Sequence, residues 1–243
     1  MLRFFRQIRK TLMEQNKVRT YLLYAIGEIL LVVIGILLAL QINNWNENRK
    51  ERKIERSYIK LLTNDLRSDS TRLEELILFS DKSVVSKNII LDYLNGDTPK
   101  PDSLGSHFLQ ASFSGIQSFV PNKSAFEEVR NAGGLSLIKD ENVRNLVLTL
   151  YNSYDEMEHN TSRYYLQNRW ETRSLVYEKA NGDLFLDHDN VDEEILEDLF
   201  QVFELKGRII NNWAVTYNLE LKLLSEMNAE AIEICNSYLE SFN

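Results

Sequence analysis

The chain has a single cysteine, Cys235, so no intrachain disulfide can form and a disulfide-dense scaffold is excluded. Proline is nearly missing: Pro99, Pro101 and Pro121 all fall in one short stretch. Glycine is also sparse, with nine in 243 residues. A chain so poor in helix breakers outside one segment is expected to be built from long helices. Histidine is limited to His107, His159 and His188. They are far apart and form no HxxxH or HExxH pattern, and no cysteine accompanies them, so the sequence indicates no zinc site.

Positive charge is scarce beyond the N-terminal region. Residues 1–56 carry eleven Lys and Arg against five Glu, whereas the remainder carries 17 against 31 Asp and Glu, a net of −14. An acidic body of this kind repels phosphate backbones, which argues against a nucleic-acid partner.

The basic residues flank one long apolar run. Tyr21–Leu40 reads YLLYAIGEILLVVIGILLAL, and thirteen of its twenty residues are Leu, Ile or Val. Twenty residues at about 1.5 Å each cross about 30 Å, the thickness of a bilayer's hydrocarbon. Summed insertion energies of roughly −6 kcal/mol outweigh a penalty of about +3 for Glu28. Tyr21, Tyr24 and Trp45 bracket the run as interfacial aromatics. The following Gln41-Ile42-Asn43-Asn44-Trp45 is no small-residue cleavage site, so a retained anchor over 21–45 is expected rather than a signal peptide.

Six basic residues precede the anchor and five follow it closely, which barely separates the two orientations. A short basic leader before a long domain favours a cytoplasmic N-terminus at a bacterial inner membrane, with the C-terminal domain in the periplasm. Within the leader, residues 1–20, Phe4 or Phe5, Ile8 and Leu12 share a helical face ringed by Arg and Lys, the pattern of a helix lying on a membrane surface.

Inside the anchor, Glu28, Val32, Gly35 and Ala39 recur at spacings of four, three and four, on one helix face. Gly35 and Ala39 form a small-xxx-small pair that lets a second backbone approach closely. This stripe is the candidate intramembrane interface, with a protonated Glu28 hydrogen-bonded across it. The competing explanation is that Glu28 snorkels to the headgroups and the small residues are incidental. The sequence leaves both open.

The run YAIGEILLVVIGILLALQINNWNENRK, after a leader beginning MLRFFRQIRK, resembles an uncharacterised single-span membrane-protein family of Bacteroidetes, known as a domain of unknown function. The later stretch KSAFEEVRNAGGLSLIKDENVRNLVLTLYNSYDEM resembles it more loosely. The resemblance implies an integral membrane protein with one N-terminal span and brings no activity or catalytic residue.

Beyond the anchor, Asn46–Arg56 is a charged juncture. Ile54, Tyr58, Leu61, Leu62, Leu66, Leu73, Leu76 and Ile77 then follow a helical period. A second section, Val84–Leu94, ends at Asn95-Gly96, a natural helix stop. Residues 46–95 are thus expected as a juxtamembrane long helix, and 96–243 as a helical bundle packing with it. Further helices are expected over Ser103–Phe113 and from Asn122 to Gly133-Gly134. Leu135–Ile138 is too short for a confident strand, and Asp140 suits a helix N-cap. An apolar seam continues from Ile195 to Tyr238 with coiled-coil-like spacing, and Gly207 is the expected interruption. The fold class is mainly α: one N-terminal transmembrane helix followed by a long-helix antiparallel bundle.

Motifs that carry chemistry are missing. Asp187-His188-Asp189-Asn190, with Asp192 and Glu193, offers oxygen ligands but not the spacing or turn glycine of a calcium loop. Gly133-Gly134 has no phosphate-loop context. Tyr151, Tyr154, Tyr164, Tyr165, Trp170 and Trp213 fit a packed core better than a ligand pocket. No catalytic residue, cofactor or metal ligand is indicated. The expected function is a membrane-anchored interaction or scaffold module whose partners are the lipid bilayer and another protein or a second copy. A sensory domain that binds a small ligand and signals through the span is the alternative.

Overall fold

The computed structural model describes residues 18–114, 117–180, 184, 190–211 and 213–242. The proposed surface helix of the leader falls mostly outside them, as do Gly115, Gly182, Asp183 and Asp187-His188-Asp189. The described chain is helical and contains no strand.

Helix α1 runs from Val18 to Asn95, and the two apolar sections read within 46–95 are continuous across Leu78–Ser83, which contains no residue that breaks a helix. It stops at Gly96, whose φ of +80° is the left-handed conformation that glycine adopts at low cost. The chain forms two compact units, Met1–Ile54 and Glu55–Asn243, and α1 contributes to both.

In the first unit, α1 carries a segment long and apolar enough to cross a membrane. Its most apolar 18-residue window has a mean hydropathy of 2.6, and none of its residues is buried.

The second unit follows as α2 (Leu104–Leu109), a wider turn over Gln110–Ser114, and α3 (Ser124–Asn131). A 3-10 turn occupies Gly134–Leu137, where the sequence left a strand undecided. Then come α4 (Glu141–Asn160), a wide turn over Thr161–Tyr165, and α5 (Leu166–Ala180). The chain closes with α6 (Glu193–Phe200), α7 (Phe203–Ile210) and α8 (Ala214–Glu240).

Asp140 caps α4, its Oδ1 accepting from the N–H groups of Asn142 and Val143 at 2.8 and 3.1 Å. Asp192 does the same for α6 with Glu194 and Ile195. Each cap satisfies donors that an isolated helix end would leave open, worth about 1 kcal/mol.

The apolar seam from Ile195 to Tyr238 is not one helix. It divides at Gln201–Val202 and at Asn211–Trp213, while Gly207 lies inside α7. The spacing of the apolar residues survives these breaks because each helix buries its own stripe, α6 and α7 in one hydrophobic cluster and α8 in another.

Two hydrophobic clusters fill the second unit. In the first, α1 supplies Ile59, Leu62 and Leu66, α4 supplies Val147 and Leu150, and α8 supplies Leu221. Helix α8 runs antiparallel to α1, since Glu55 meets Tyr238, Leu66 meets Asn228 and Asp81 meets Lys222. Helix α4 runs parallel to α1, because residues 96–140 carry the chain back to begin α4 near Glu55. The second cluster joins Ile90 of α1 to Phe108, Val176, Leu196, Leu205 and Ile209. Between Leu76 and Ile90, α1 presents the buried polar residues Ser80, Ser83, Ser86 and Lys87. Ser83 Oγ donates to the Gln110 carbonyl at 3.1 Å and accepts from Gln110 Nε2 at 2.9 Å.

Candidate functional site

The four stripe residues all lie on α1, and none of them is buried. Val32 is 55% exposed, and a Cβ added to Gly35 would meet nothing within 4 Å. Ala39 is likewise exposed, and Glu28 is half-buried. Their common face follows from the helical period alone, and the small side chains leave it shallow enough for a second helix. Beyond this segment, the Arg49 guanidinium lies 5.9 Å from the centre of the Trp45 ring.

In the second unit the buried stripe of α1 runs through residues 55, 59, 62, 66, 69, 73 and 76. Ile54 and Leu61 instead point outward, at 43% and 37% exposure. Glu55 and Asp69 therefore occupy core positions, and they are the sites that the apolar pattern missed. The available signal was a carboxylate repeating in register with buried leucines.

Each carboxylate ties α1 to a distant segment. Glu55 Oε1 accepts from the Lys139 N–H and the Tyr238 hydroxyl, both at 2.6 Å. Asp65 accepts from Asn122 Nδ2 at 3.0 Å and from the Ala125 N–H at 2.7 Å. Asp69 Oδ1 accepts from the Asn122 N–H at 2.8 Å. Asp65 thus caps the first turn of α3 from another helix, and Asp69, one turn further along α1, holds Asn122 just before it. Asp69 Oδ2 is buried with no hydrogen-bond partner. Burial, helped by the Asp65 charge and opposed by the Asn122 N–H, pushes the Asp69 carboxyl up to about 6.

The aromatic residues divide. Tyr151, Tyr154 and Tyr165 are buried, whereas Tyr164, Trp170 and Trp213 are exposed. Tyr151 stacks on Phe126 with ring centres 4.1 Å apart. Asn228 on α8 donates through Nδ2 to the Leu66 carbonyl at 3.0 Å and to the Tyr154 hydroxyl at 2.5 Å, joining three helices through one amide. This network fastens the core. Among the described residues, no three His, Cys, Asp or Glu side chains converge as metal ligands.

The surface feature of the unit is a valley between α4 and α8. One part, about 720 Å³, is lined by Asn142, Leu146 and Thr149 from α4 and by Glu230, Ile234 and Tyr238 from α8, among others. The other, about 220 Å³, continues with Ser153, Glu156 and Met157 opposite Glu220, Leu223 and Met227. Positions 142, 146, 149, 153, 156 and 160 step by three or four along α4, and 220, 223, 227, 230, 234 and 237 do so along α8. The two parts therefore lie on one side of the helix pair. Leu219 and Leu223 stand at 61% and 56% exposure along α8.

No curated protein and no solved structure matches this chain. Residues 28–186 match the model of a family described as of unknown function, DUF6090. The match begins at Glu28 in the apolar segment and takes in the Asp65–Asp69 clamp and all of α4, which is more than half of the chain. The chain therefore belongs to the DUF6090 family of unknown function.

Proposed function

We propose that this protein is a membrane-anchored helical interaction module that holds its second unit at a bilayer and there engages another protein or a second copy of itself. The observation that carries this is the apolar window of α1, with mean hydropathy 2.6 and no buried residue. Such a surface is stable only in hydrocarbon or against another helix. The anchor occupies 21–45 with its N-terminus in the cytoplasm of a bacterial cell, and the second unit is periplasmic. Within the bilayer, Glu28, Val32, Gly35 and Ala39 form the contact face.

The test is photo-crosslinking in native membranes, with a benzophenone side chain placed singly at Val32, Ala39, Leu30 or Leu37. Positions 32 and 39 share the stripe face; 30 and 37 lie on the opposite side of the helix. Protein adducts at 32 and 39 and lipid-only products at 30 and 37 are expected. Equal yields at all four positions, or no protein adduct at any, would sink the proposed contact.

A further inference from the structure

We infer that the valley between α4 and α8 docks a cationic amphipathic helix of about five turns, supplied by another protein. This deepens the proposed interaction function and rests on it. The floor of the valley is apolar, with Leu146, Met157, Leu223, Leu224, Met227 and Ile234 lining it. Unbranched methionines adapt their shape to a docked helix, a recurrent property of helix-binding grooves. The lining contains the carboxylates Asp140, Glu156, Glu220 and Glu230 and no Lys, Arg or His.

The unit is acidic as a whole, and carboxylates without an ion pair among the described residues, such as Glu74 and Glu128, also stand outside the valley. What sets the valley apart is that its carboxylates border an apolar floor with no cation in the lining. Several acids elsewhere already meet cations: Glu193 and Glu197 share Lys100, Asp155 and Glu158 share Lys123, and Glu171 meets Arg208. Glu156, Glu220 and Glu230 have no ion-pair partner among the described residues. Glu220 is turned inward, with Oε2 shielded from water and the carboxylate hydrogen-bonded by Tyr165, so Glu156 and Glu230 are the exposed carboxylates of the two walls. A docked helix bearing Lys or Arg on both flanks of an apolar stripe would cover the floor and neutralise both walls. The α4 wall, from Asn142 to Asn160, extends about 27 Å at 1.5 Å per residue, the length of an 18-residue helix.

The test uses the full chain in nanodiscs of zwitterionic lipid, with empty nanodiscs as background, at physiological salt. The probe is a fluorescent 18-residue amphipathic peptide of Leu and Lys. Its comparators are a scrambled peptide of the same composition and one with Glu in place of every Lys. Saturable binding of the amphipathic cationic peptide alone is expected. Reversing one carboxylate on each wall, Glu156→Lys with Glu230→Lys, is expected to raise Kd at least tenfold. Both side chains are exposed, so the fold should tolerate the change. Glu74→Lys with Glu128→Lys alters the net charge equally at exposed sites outside the valley lining and is expected to change Kd less than twofold. Equal weakening by the two double variants, or equal binding of the scrambled peptide, would overturn the inference. If stripe crosslinks persist while the peptide fails to bind, the valley falls and the interaction module stands. If neither is seen, both fall.

Discussion

The Glu55 carboxylate accepts a hydrogen bond from the Tyr238 hydroxyl at 2.6 Å across 183 residues of sequence. The same oxygen, Oε1, accepts the Lys139 N–H, so one buried side chain on α1 holds both the entry to α4 and the end of α8. Removing the carboxylate orphans two donors at once. Glu55→Ala is expected to cost about 3 kcal/mol and Tyr238→Phe about 1–1.5 kcal/mol. Thermal unfolding of the two variants measures the order, and an equal loss in both would contradict the shared anchor.

Asp69 gives the pH dependence a definite sign. Its folded-state carboxyl lies at about 6, above the ordinary 3.8. The native state therefore binds the proton more tightly than the unfolded chain, and this group adds stability as pH falls from about 6 towards 3.8. Between pH 7.5 and pH 5 it should contribute about 1 kcal/mol. Asp69→Asn keeps the acceptor for the Asn122 N–H and removes the charge, so the variant should lose that gain. The comparison is made by denaturant titration of wild type and variant at both pH values. Parallel shifts in the two proteins would exclude Asp69 as the source.

Gly134 is needed for space. A Cβ there would lie 2.3 Å from Tyr58 Cε2. Gly134→Ala is expected to destabilise by about 1–3 kcal/mol, since neither the ring nor the backbone beside it can yield freely. In a Tyr58→Leu background the same change should cost much less, a coupling that a double-mutant cycle reads directly. Additive losses would show that the contact does not limit the site.

The polar member of the stripe is testable apart from its small residues. Glu28→Leu makes the segment more apolar and should strengthen insertion by about 3 kcal/mol. If Glu28 hydrogen-bonds across a helix contact, the same variant should weaken crosslinking through Ala39. Undiminished crosslinking would assign Glu28 to the headgroups.

How far the sequence discloses this structure depends on whether the information is local. The helices of α1 and α4 follow from apolar periodicity, and the cap at Asp140 from a carboxylate just before the run, whereas Asp192 was read only among acidic residues and proves to cap α6. The division of the C-terminal seam is not local. Val202 starts α7 with an extended ψ of 111° although no Pro or Gly stands at 201–202. Packing against the second cluster sets that turn. The clamp of Asp65 and Asp69 on Asn122 spans more than fifty residues, so spacing could not reveal it. The valley was illegible for the same reason: whether Glu156 or Glu230 finds a cation depends on which helices become neighbours.

The most direct test of the membrane-anchored module is the placement of its second unit. Cys235 is buried, with its thiol pushed up to about 11 by burial, so Cys235→Ser removes an unreactive thiol and leaves a clean background. Thr98→Cys then places one thiol in the exposed turn after α1. Cells with a permeabilised outer membrane and an intact inner membrane are treated with a membrane-impermeant maleimide, and their membranes are washed with alkaline carbonate. The expected result is a labelled protein that stays in the membrane pellet. Release by carbonate would contradict the anchor, and labelling only after inner-membrane lysis would place the helical unit in the cytoplasm.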